Sequence, residues 1–427
     1  VSDIERVTHA LQLRGSIRVP GDKSASHRAL IVSALAAGES TITGLSPGDD
    51  VAATSAIIQQ LGATRVDEDN VAHVTGPEDG LRVSSAPLDC GNSGTTMRLL
   101  TGVVAAISGT HHLIGDASLS KRPMDRVATP LGLMGANVQG QGESLTPPLT
   151  VESRGELRGV DYRVPVPSAQ VKSAILLAGL AAVGTTTVQE DVRTRVTTEE
   201  MLRTAGVAVT SEDDGGGRVV TLRPGRPQPH AWFVPGDPSQ AAFFAVLGVT
   251  HPDASLEVLS VDASPERVGF VGVLSRMGGA VTLVEHGAFH ALLSKSSSLT
   301  STEIHSYEIP SVDEVPVLTV AACAASGVTS FRSMGELRLK ESDRLAGSLL
   351  LAQRLGCRAW SEGDDFFVEG VGSASKFLDF TIAASLDHRM VMAGAVAGLA
   401  GNGCTIEGAT TVSSSYPHFF RDLALLG

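Results

Sequence analysis

The sequence predicts an α/β (α+β) protein of six βαβαββ repeats, three in each of two domains. Three observations carry this. First, six helical patterns end in an apolar residue followed by Gly: Leu61-Gly62, Met134-Gly135, Ala205-Gly206, Met277-Gly278, Leu355-Gly356 and Leu426-Gly427, with the glycines 71 to 78 residues apart. Second, a series out of phase with the first places Gly between an Ala-rich helix and a Thr-bearing strand. Its glycines are Gly38, Gly109, Gly184, Gly327 and Gly403, and Asp253-Ala-Ser fills the fourth slot. Third, a chain of 427 residues exceeds one ordinary core. A fixed period of this length is the mark of a repeated supersecondary unit. Gly just past a helix adopts the left-handed conformation at no steric cost and turns the chain into the next strand.

Each element follows in order. The first unit reads as a helix over 28–37, a strand over 40–43, a helix over 51–61 and a strand pair over 64–67 and 71–75. Later units copy the pair at 207–211 with 218–222, and at 280–284 with 289–293. The Gly run at Asp213-Asp-Gly-Gly-Gly217 precedes a strand and not a helix, so it reads as a hairpin tip and not as a phosphate loop. The Pro-rich stretch 223–229 lies at the midpoint and suits a linker. A short strand over 8–14 precedes the first unit and is expected to pair back into the second domain. The expected domains are therefore 15–230 and 1–14 plus 231–427, with crossings near 15–20 and 225–235. Residues 295–301 read as a surface loop.

Composition narrows the class. Hydrophobic residues make up 42% and charged residues 19%, the balance of a well-buried globular protein, and 46 glycines fit many repeated turns. A net charge of −13 argues against nucleic acid or an anionic membrane as partner. Cys90, Cys323, Cys357 and Cys404 form no CxxC pair and read as reduced core thiols of a cytoplasmic protein. The opening residues lack an apolar signal core. The longest apolar stretch, near 174–183, falls far short of the ~20 residues that span a bilayer. A soluble monomer is expected. No DxDxDG, HExxH or Cys/His cluster appears, and neighbouring His111 and His112 face opposite sides of a strand, so neither metal nor cofactor is expected.

The starts of the first helix of each unit also align: Pro20-Gly-Asp-Lys-Ser24, Cys90-Gly-Asn-Ser-Gly94, Pro167-Ser-Ala-Gln170, Pro235-Gly-Asp-Pro-Ser239, Pro310-Ser-Val-Asp313 and Ser385-Leu-Asp-His-Arg389. Ser, Asp and Asn there serve as caps, which repeats need whatever their function. Unpaired N–H groups and the helix dipole also draw anions. Lys23, Arg28, Arg98 and Arg389 lie on these starts, the turn 115–123 adds Lys121 and Arg122, and Lys340 to Arg344 opens another helix. Cations at helix starts oppose the dipole, and a bound polyanion would offset that. Two domains facing each other would gather six such starts around one cleft. The fourth start carries no cation and reads as purely structural.

With these residues assembled, the chain closely resembles the 5-enolpyruvylshikimate-3-phosphate synthase family of enolpyruvyl transferases, from about Leu13 to its end. The motifs stand in the family's order: Pro20-Gly-Asp-Lys-Ser-Ala-Ser-His-Arg28, Gly91-Asn-Ser-Gly-Thr-Thr-Met-Arg98, Arg122-Pro-Met, Ser168-Ala-Gln-Val-Lys172, Lys340-Glu-Ser-Asp-Arg344 and Asp387-His-Arg389-Met. The resemblance implies a two-domain inside-out barrel. It also implies transfer of the enolpyruvyl group of phosphoenolpyruvate to the 5-hydroxyl of shikimate 3-phosphate, in aromatic amino acid biosynthesis. Carried over by motif, shikimate 3-phosphate would meet Lys23, Ser24, Arg28, Ser168, Ala169, Gln170, Arg195, Asp313 and Lys340. Phosphoenolpyruvate would meet Lys23, Gly94, Arg122, Gln170, Arg344 and Arg389, where bidentate Arg suits carboxylate and phosphate. Glycine at Gly94 is expected because a side chain would crowd the phosphoryl group.

The chemistry needs a proton delivered to a methylene carbon and another removed from a hydroxyl, tasks that two carboxylates can divide. Asp313 is the candidate base and Glu341 the candidate acid, with Lys340 and catalytic Lys23 setting their electrostatics. The plainer roles are helix cap for Asp313 and ion-pair partner of Arg344 for Glu341. Three stretches depart from the family pattern: Val196 and Thr197 replace a charged and a titratable residue, Ser414-Ser-Tyr-Pro417 stands where some members place a Lys, and Leu99 replaces a Pro. Two rival readings stay open. One is the sister transferase acting on UDP-N-acetylglucosamine, although the turn 116–123 lacks that enzyme's Cys. The other is an inert phosphate-ester binding protein on the same scaffold.

Overall fold

The computed structural model describes residues 3–309, 311–384 and 387–427. Pro310 and Ser385, assigned to helix starts above, lie outside the described residues. Two strands come first, β1 (Ile4–Val7) and β2 (Leu13–Ile17). The first unit runs α1 (Lys23–Leu35), β3 (Gly38–Thr43), α2 (Asp49–Gln60), β4 (Thr64–Glu68) and β5 (Val71–Gly76). The second runs β6 (Leu88–Asp89), α3 (Gly94–Ala105), β7 (Gly109–Ile114), α4 (Asp125–Met134), β8 (Asn137–Gln141) and β9 (Thr146–Ser153). The third is β10 (Asp161–Arg163), α5 (Ala169–Gly179), β11 (Thr186–Glu190), α6 (Thr197–Thr204), β12 (Val209–Asp214) and β13 (Gly217–Leu222). Strand β14 (Ala231–Phe233) leads to the fourth: α7 (Pro238–Thr250), β15 (Ala254–Val261), α8 (Gly269–Arg276), β16 (Ala280–His286) and β17 (Phe289–Lys295). The fifth is β18 (Glu303–His305), α9 (Val315–Ala324), β19 (Ser326–Arg332), α10 (Arg344–Arg354), β20 (Arg358–Glu362) and β21 (Asp365–Val371). The sixth closes with β22 (Phe380–Ala383), α11 (His388–Ala400), β23 (Cys404–Glu407) and α12 (Phe419–Ala424).

Three units make complete sheets from their own strands, in the orders β6-β7-β9-β8, β10-β11-β13-β12 and β18-β19-β21-β20. Each pairs a parallel edge strand with an antiparallel hairpin, the βαβαββ signature. The other three sheets borrow. β14 lies parallel to β3 with Ala231 opposite Thr41, and β2 lies parallel to β15 with Leu13 opposite Ala254. β1 runs antiparallel to β23 with Ile4 opposite Glu407. The single strand expected over 8–14 is thus two strands, with residues 8–12 an irregular link between them.

The chain divides into two compact units: the segment ending at Asp22 with Pro235–Gly427, and Lys23–Val234. Each holds three of the six sheets. The first crossing falls later than 15–20 because β2 is paired into its sheet and Asp22 N–H donates to Pro235 O at 2.7 Å.

Within each unit the first helices of the repeats are buried almost all round, as their lack of polar faces demands. α9 and α11 are buried along their whole length, and α3 nearly so. Close approach requires small residues: a Cβ on Gly102 would sit 2.3 Å from the Ala174 carbonyl oxygen of α5. The second helices bury one face only, as on α6 and α8. The five internal glycines of the helix-end series have φ between 83° and 112°, the left-handed turn expected of them. α1 begins at Lys23, five residues before the expected start. All four cysteines are free and buried, and burial pushes the Cys404 thiol up to about 12. Among the described residues no helix is long and apolar enough to cross a membrane.

Candidate active site

In the unit Lys23–Val234, helix starts arrange the cations. Ser93 caps α3 by accepting from Thr96 N, and Ser168 caps α5 by accepting from Val171 N. Lys23 opens α1, and its Nζ lies 3.0 Å from Oδ2 of Asp50, an acidic residue in the first turn of α2. Arg28, one turn further along α1, is buried. It donates through Nε to Thr198 Oγ1 at 2.6 Å, through Nη2 to Ser173 Oγ at 2.7 Å and through Nη1 to Ser24 O at 2.9 Å. Arg195 Nη1 donates to Ser24 Oγ at 2.9 Å. Ser24, Arg28 and Arg195 are therefore one group.

A second group surrounds the start of α3. Arg98 Nη1 donates to Gln170 Oε1 at 2.8 Å, and Gln170 Nε2 donates to Thr95 Oγ1 at 2.9 Å. Arg122 Nη2 donates to Asn92 Oδ1 at 3.0 Å. A Cβ on Gly94 would stand 2.9 Å from Arg98 Nη1 and 3.0 Å from Arg122 Nη1. This adds a reason for glycine here: a side chain would crowd two guanidinium ends. Thr96 also ties α3 to α2, its hydroxyl donating to Asp50 O at 3.1 Å, and the Asp50 carboxylate in turn pairs with Lys23.

The other unit gathers the carboxylates. Arg344, at the first position of α10, has a side chain 1% exposed. Its Nε and Nη2 grip Asp387 at 2.8 and 3.1 Å, Nη1 reaches Asp313 Oδ1 at 3.0 Å, and Nη2 reaches Glu341 Oε2 at 2.6 Å. Burial alone would push this guanidinium's pKa down, but Asp387, Glu341 and Asp313 outweigh it and hold the group well above its ordinary value. Lys340 Nζ donates to Ser311 O at 2.9 Å and lies 3.4 Å from Asp313 Oδ1. Arg389 Nη2 stands 4.0 Å from Asp313 Oδ2, and its guanidinium lies over the Phe243 ring. Asp313 thus faces three cations.

Asp313 does not cap α9; the cap position is Glu314, whose carboxylate accepts from the Ser239 and Ser311 hydroxyls. The preceding residue, Val312, has φ 50°, a conformation that β-branched residues avoid. Such strain persists only where surrounding structure fixes it, and it gathers at working sites. The plainer role of Glu341 is also present, since it does pair with Arg344.

Several partners escaped the sequence reading. Asp387 both caps α11, accepting from Arg389 N at 2.9 Å, and grips Arg344. Asp237 does the same at the fourth start: it caps α7 and pairs with buried Arg267 at 3.0 Å, while Arg267 also reaches Asp22. Burial works against that guanidinium too, and the two aspartates raise its pKa regardless. The fourth start does hold a cation, which arrives from the turn before α8. The repeat carried a signal for this, because Arg267, two residues before α8, and Arg344, at the first position of α10, both stand at the start of a second helix. Ser168 and Ala169 stand at the start of α5 as expected, beside Gln170.

The chain matches the family model described as EPSP synthase (3-phosphoshikimate 1-carboxyvinyltransferase) over residues 7–423. It is 43% identical to the 3-phosphoshikimate 1-carboxyvinyltransferase of Zymomonas mobilis, covering 96% of this chain and 94% of that protein. The enzyme of that name from Synechococcus is 41% identical over 97% of this chain and 96% of its own length. Among solved structures, EPSP synthase from Acinetobacter baumannii superposes with a TM-score of 0.85 at 35% identity, covering 99% of this chain and 98% of that one. The enolpyruvyl transferase NikO from Streptomyces tendae shares the fold, with a TM-score of 0.77 at 17% identity over 99% of this chain and 97% of that one.

Proposed function

The chain belongs to the EPSP synthase (3-phosphoshikimate 1-carboxyvinyltransferase) family, and on that premise we propose how its cations and carboxylates divide the work. The protein is an enzyme that transfers the enolpyruvyl group of phosphoenolpyruvate to the 5-hydroxyl of shikimate 3-phosphate, releasing phosphate. Shikimate 3-phosphate is assigned to Ser24, Arg28, Ser168, Ala169, Gln170 and Arg195, with Lys23, Lys340 and Asp313 at its reacting side. Phosphoenolpyruvate is assigned to Lys23, Gly94, Arg122, Gln170, Arg344 and Arg389. The hydrogen bonds that join Ser24, Arg28 and Arg195 support the first set.

The observation that carries the mechanism is one buried guanidinium, Arg344, touching two carboxylates of different roles. In the addition step Glu341 gives a proton to the methylene carbon, the 5-oxygen bonds to the adjacent carbon, and Asp313 takes the hydroxyl proton. This leaves a tetrahedral intermediate with a methyl group. In the elimination step Glu341 recovers a proton from that methyl, and phosphate leaves with the proton held by Asp313. Lys340 and Arg389 stabilise charge on Asp313 while it is ionised. Anionic phosphoenolpyruvate competes with both carboxylates for Arg344, so its arrival frees them to act. The cytoplasm is the compartment proposed, with a monomer as the working form.

The test is phosphate release from phosphoenolpyruvate with three acceptors: shikimate 3-phosphate, UDP-N-acetylglucosamine and none. Release with shikimate 3-phosphate alone is expected. Release only with the UDP-sugar would move the chain to the sister reaction, and no release with either would leave an inert binding protein.

A further inference from the structure

Behind the group formed by Ser24, Arg28 and Arg195 lies an ionic cluster to which the assignments above give no task. Lys172 on α5, Glu190 at the end of β11 and Glu199 in the first turn of α6 have side chains at most 1% exposed. Lys172 Nζ stands 2.7 Å from Glu190 Oε2 and 2.7 Å from Glu199 Oε1. The Thr194 hydroxyl donates to the other oxygen of Glu190. These four residues pin both ends of the segment 191–196, and that segment carries Arg195. At the adjacent residue of each helix the link is repeated: Ser173 and Thr198 share a hydrogen bond of 2.7 Å, and Arg28 donates to both.

A buried ammonium between two carboxylates is a poor way to gain stability, since well-packed apolar residues of the same volume serve equally or better. What it supplies is a fixed geometry, because Lys172 donates to Glu190 at 2.7 Å and its charge draws the Glu199 carboxylate in from the other side. Elsewhere the segment is held by surface ion pairs, Asp191 to Arg163 and Arg193 to Asp213, which are weak anchors, and α6 begins without a side-chain cap. This also accounts for the tolerance of Val196 and Thr197 in a turn where the family has charged and titratable groups. The anchor lies on either side of them.

We propose that Lys172 is a positioning residue for shikimate 3-phosphate. By joining Glu190 to Glu199 it sets the turn that aims Arg195 at Ser24. The proposal rests on the assignment of Arg195 to that substrate. Because Lys172 acts through Arg195, its loss is selective for one substrate, whereas a general weakening of the fold is not.

The test is a double-mutant cycle on the full chain, with Lys172→Met, Arg195→Ala and the pair, reading KM for each substrate and kcat. Lys172→Met is expected to raise KM for shikimate 3-phosphate about tenfold, the scale of one lost charge-assisted hydrogen bond, while KM for phosphoenolpyruvate and kcat stay within about twofold. In the Arg195→Ala background the same change is expected to do nothing more to shikimate 3-phosphate. Equal losses for both substrates, or effects that multiply in the double variant, would overturn the positioning role alone. An Arg195→Ala variant with unaltered KM for shikimate 3-phosphate would overturn the Arg195 assignment and the proposal with it. Should circular dichroism find Lys172→Met unfolded, the isosteric Glu199→Gln, which keeps one Lys–Glu pair, runs the same cycle with the same two outcomes.

Discussion

Asp313 and Glu341 share Arg344 but differ in their other surroundings, which suits the different roles proposed for them. Glu341 has its ion pair to Arg344 three residues along, at the start of one helix. Asp313 is presented by a strained backbone at Val312 and ringed by Lys340, Arg344 and Arg389. The neutral isosteres Asp313→Asn and Glu341→Gln are expected to lower kcat by about 100-fold or more, while isothermal titration still detects both substrates. Unaltered turnover in either variant would remove that residue from the chemistry. Gly94→Ala places its new methyl against the ends of Arg98 and Arg122, which are flexible and can move. Its melting temperature is therefore expected to stay put while KM for phosphoenolpyruvate rises. A matching rise for shikimate 3-phosphate would show that the two guanidinium groups serve the other substrate.

At the scale of the element, helix ends were legible and helix partners were not. The glycine after each helix announces itself because only a left-handed residue makes that turn, as at Gly356 with φ 89°. Cap residues such as Ser93, Ser168, Asp237 and Asp387 were legible for the same local reason. That Asp387 would also take Arg344, or Asp237 take Arg267, depends on which helices meet, and no local pattern encodes it. Another such long-range contact makes the link between β1 and β2 sensitive to acid. His251, at the end of α7, accepts the Asp253 N–H at Nδ1 and meets Ala10 O with Nε2 at 2.9 Å, which fixes the neutral ring with its proton on Nε2. Burial, with His9 stacked alongside, holds its pKa below the ordinary histidine value. The unfolded chain therefore takes the proton first. The contribution of His251 to stability is complete above about pH 6.5 and is lost as pH falls through the lower, folded value. Buried His111 has the same sign. Urea denaturation at about pH 7.5 and 5.5 should show stability falling on acidification, and less so in His251→Gln. An equal fall in that variant would place the sensitivity elsewhere.

Across the whole molecule, six copies of one unit and the return of an N-terminal strand to the second domain are legible from the sequence, but which sheets the borrowed strands complete is not. β14 completes the sheet of β3, while β1 and β2 complete those of β23 and β15, pairings that join distant parts of the chain. The segment Lys23–Val234 includes β14 and so owns all three of its sheets and their core. Expressed alone, 23–234 is expected to unfold in one cooperative transition, whereas removal of residues 1–17 leaves two open sheet edges and is expected to cause aggregation. A non-cooperative 23–234 fragment would show that the unit is not self-sufficient. The reaction assigned to the molecule makes one further demand that no binding protein shares: a methylene carbon must become a methyl and then return. The most direct measurement is turnover of phosphoenolpyruvate and shikimate 3-phosphate in deuterium oxide, with the product read by mass spectrometry. Addition and elimination through Glu341 predict deuterium in the methylene of the transferred group, whereas full phosphate release with no deuterium there would contradict the account.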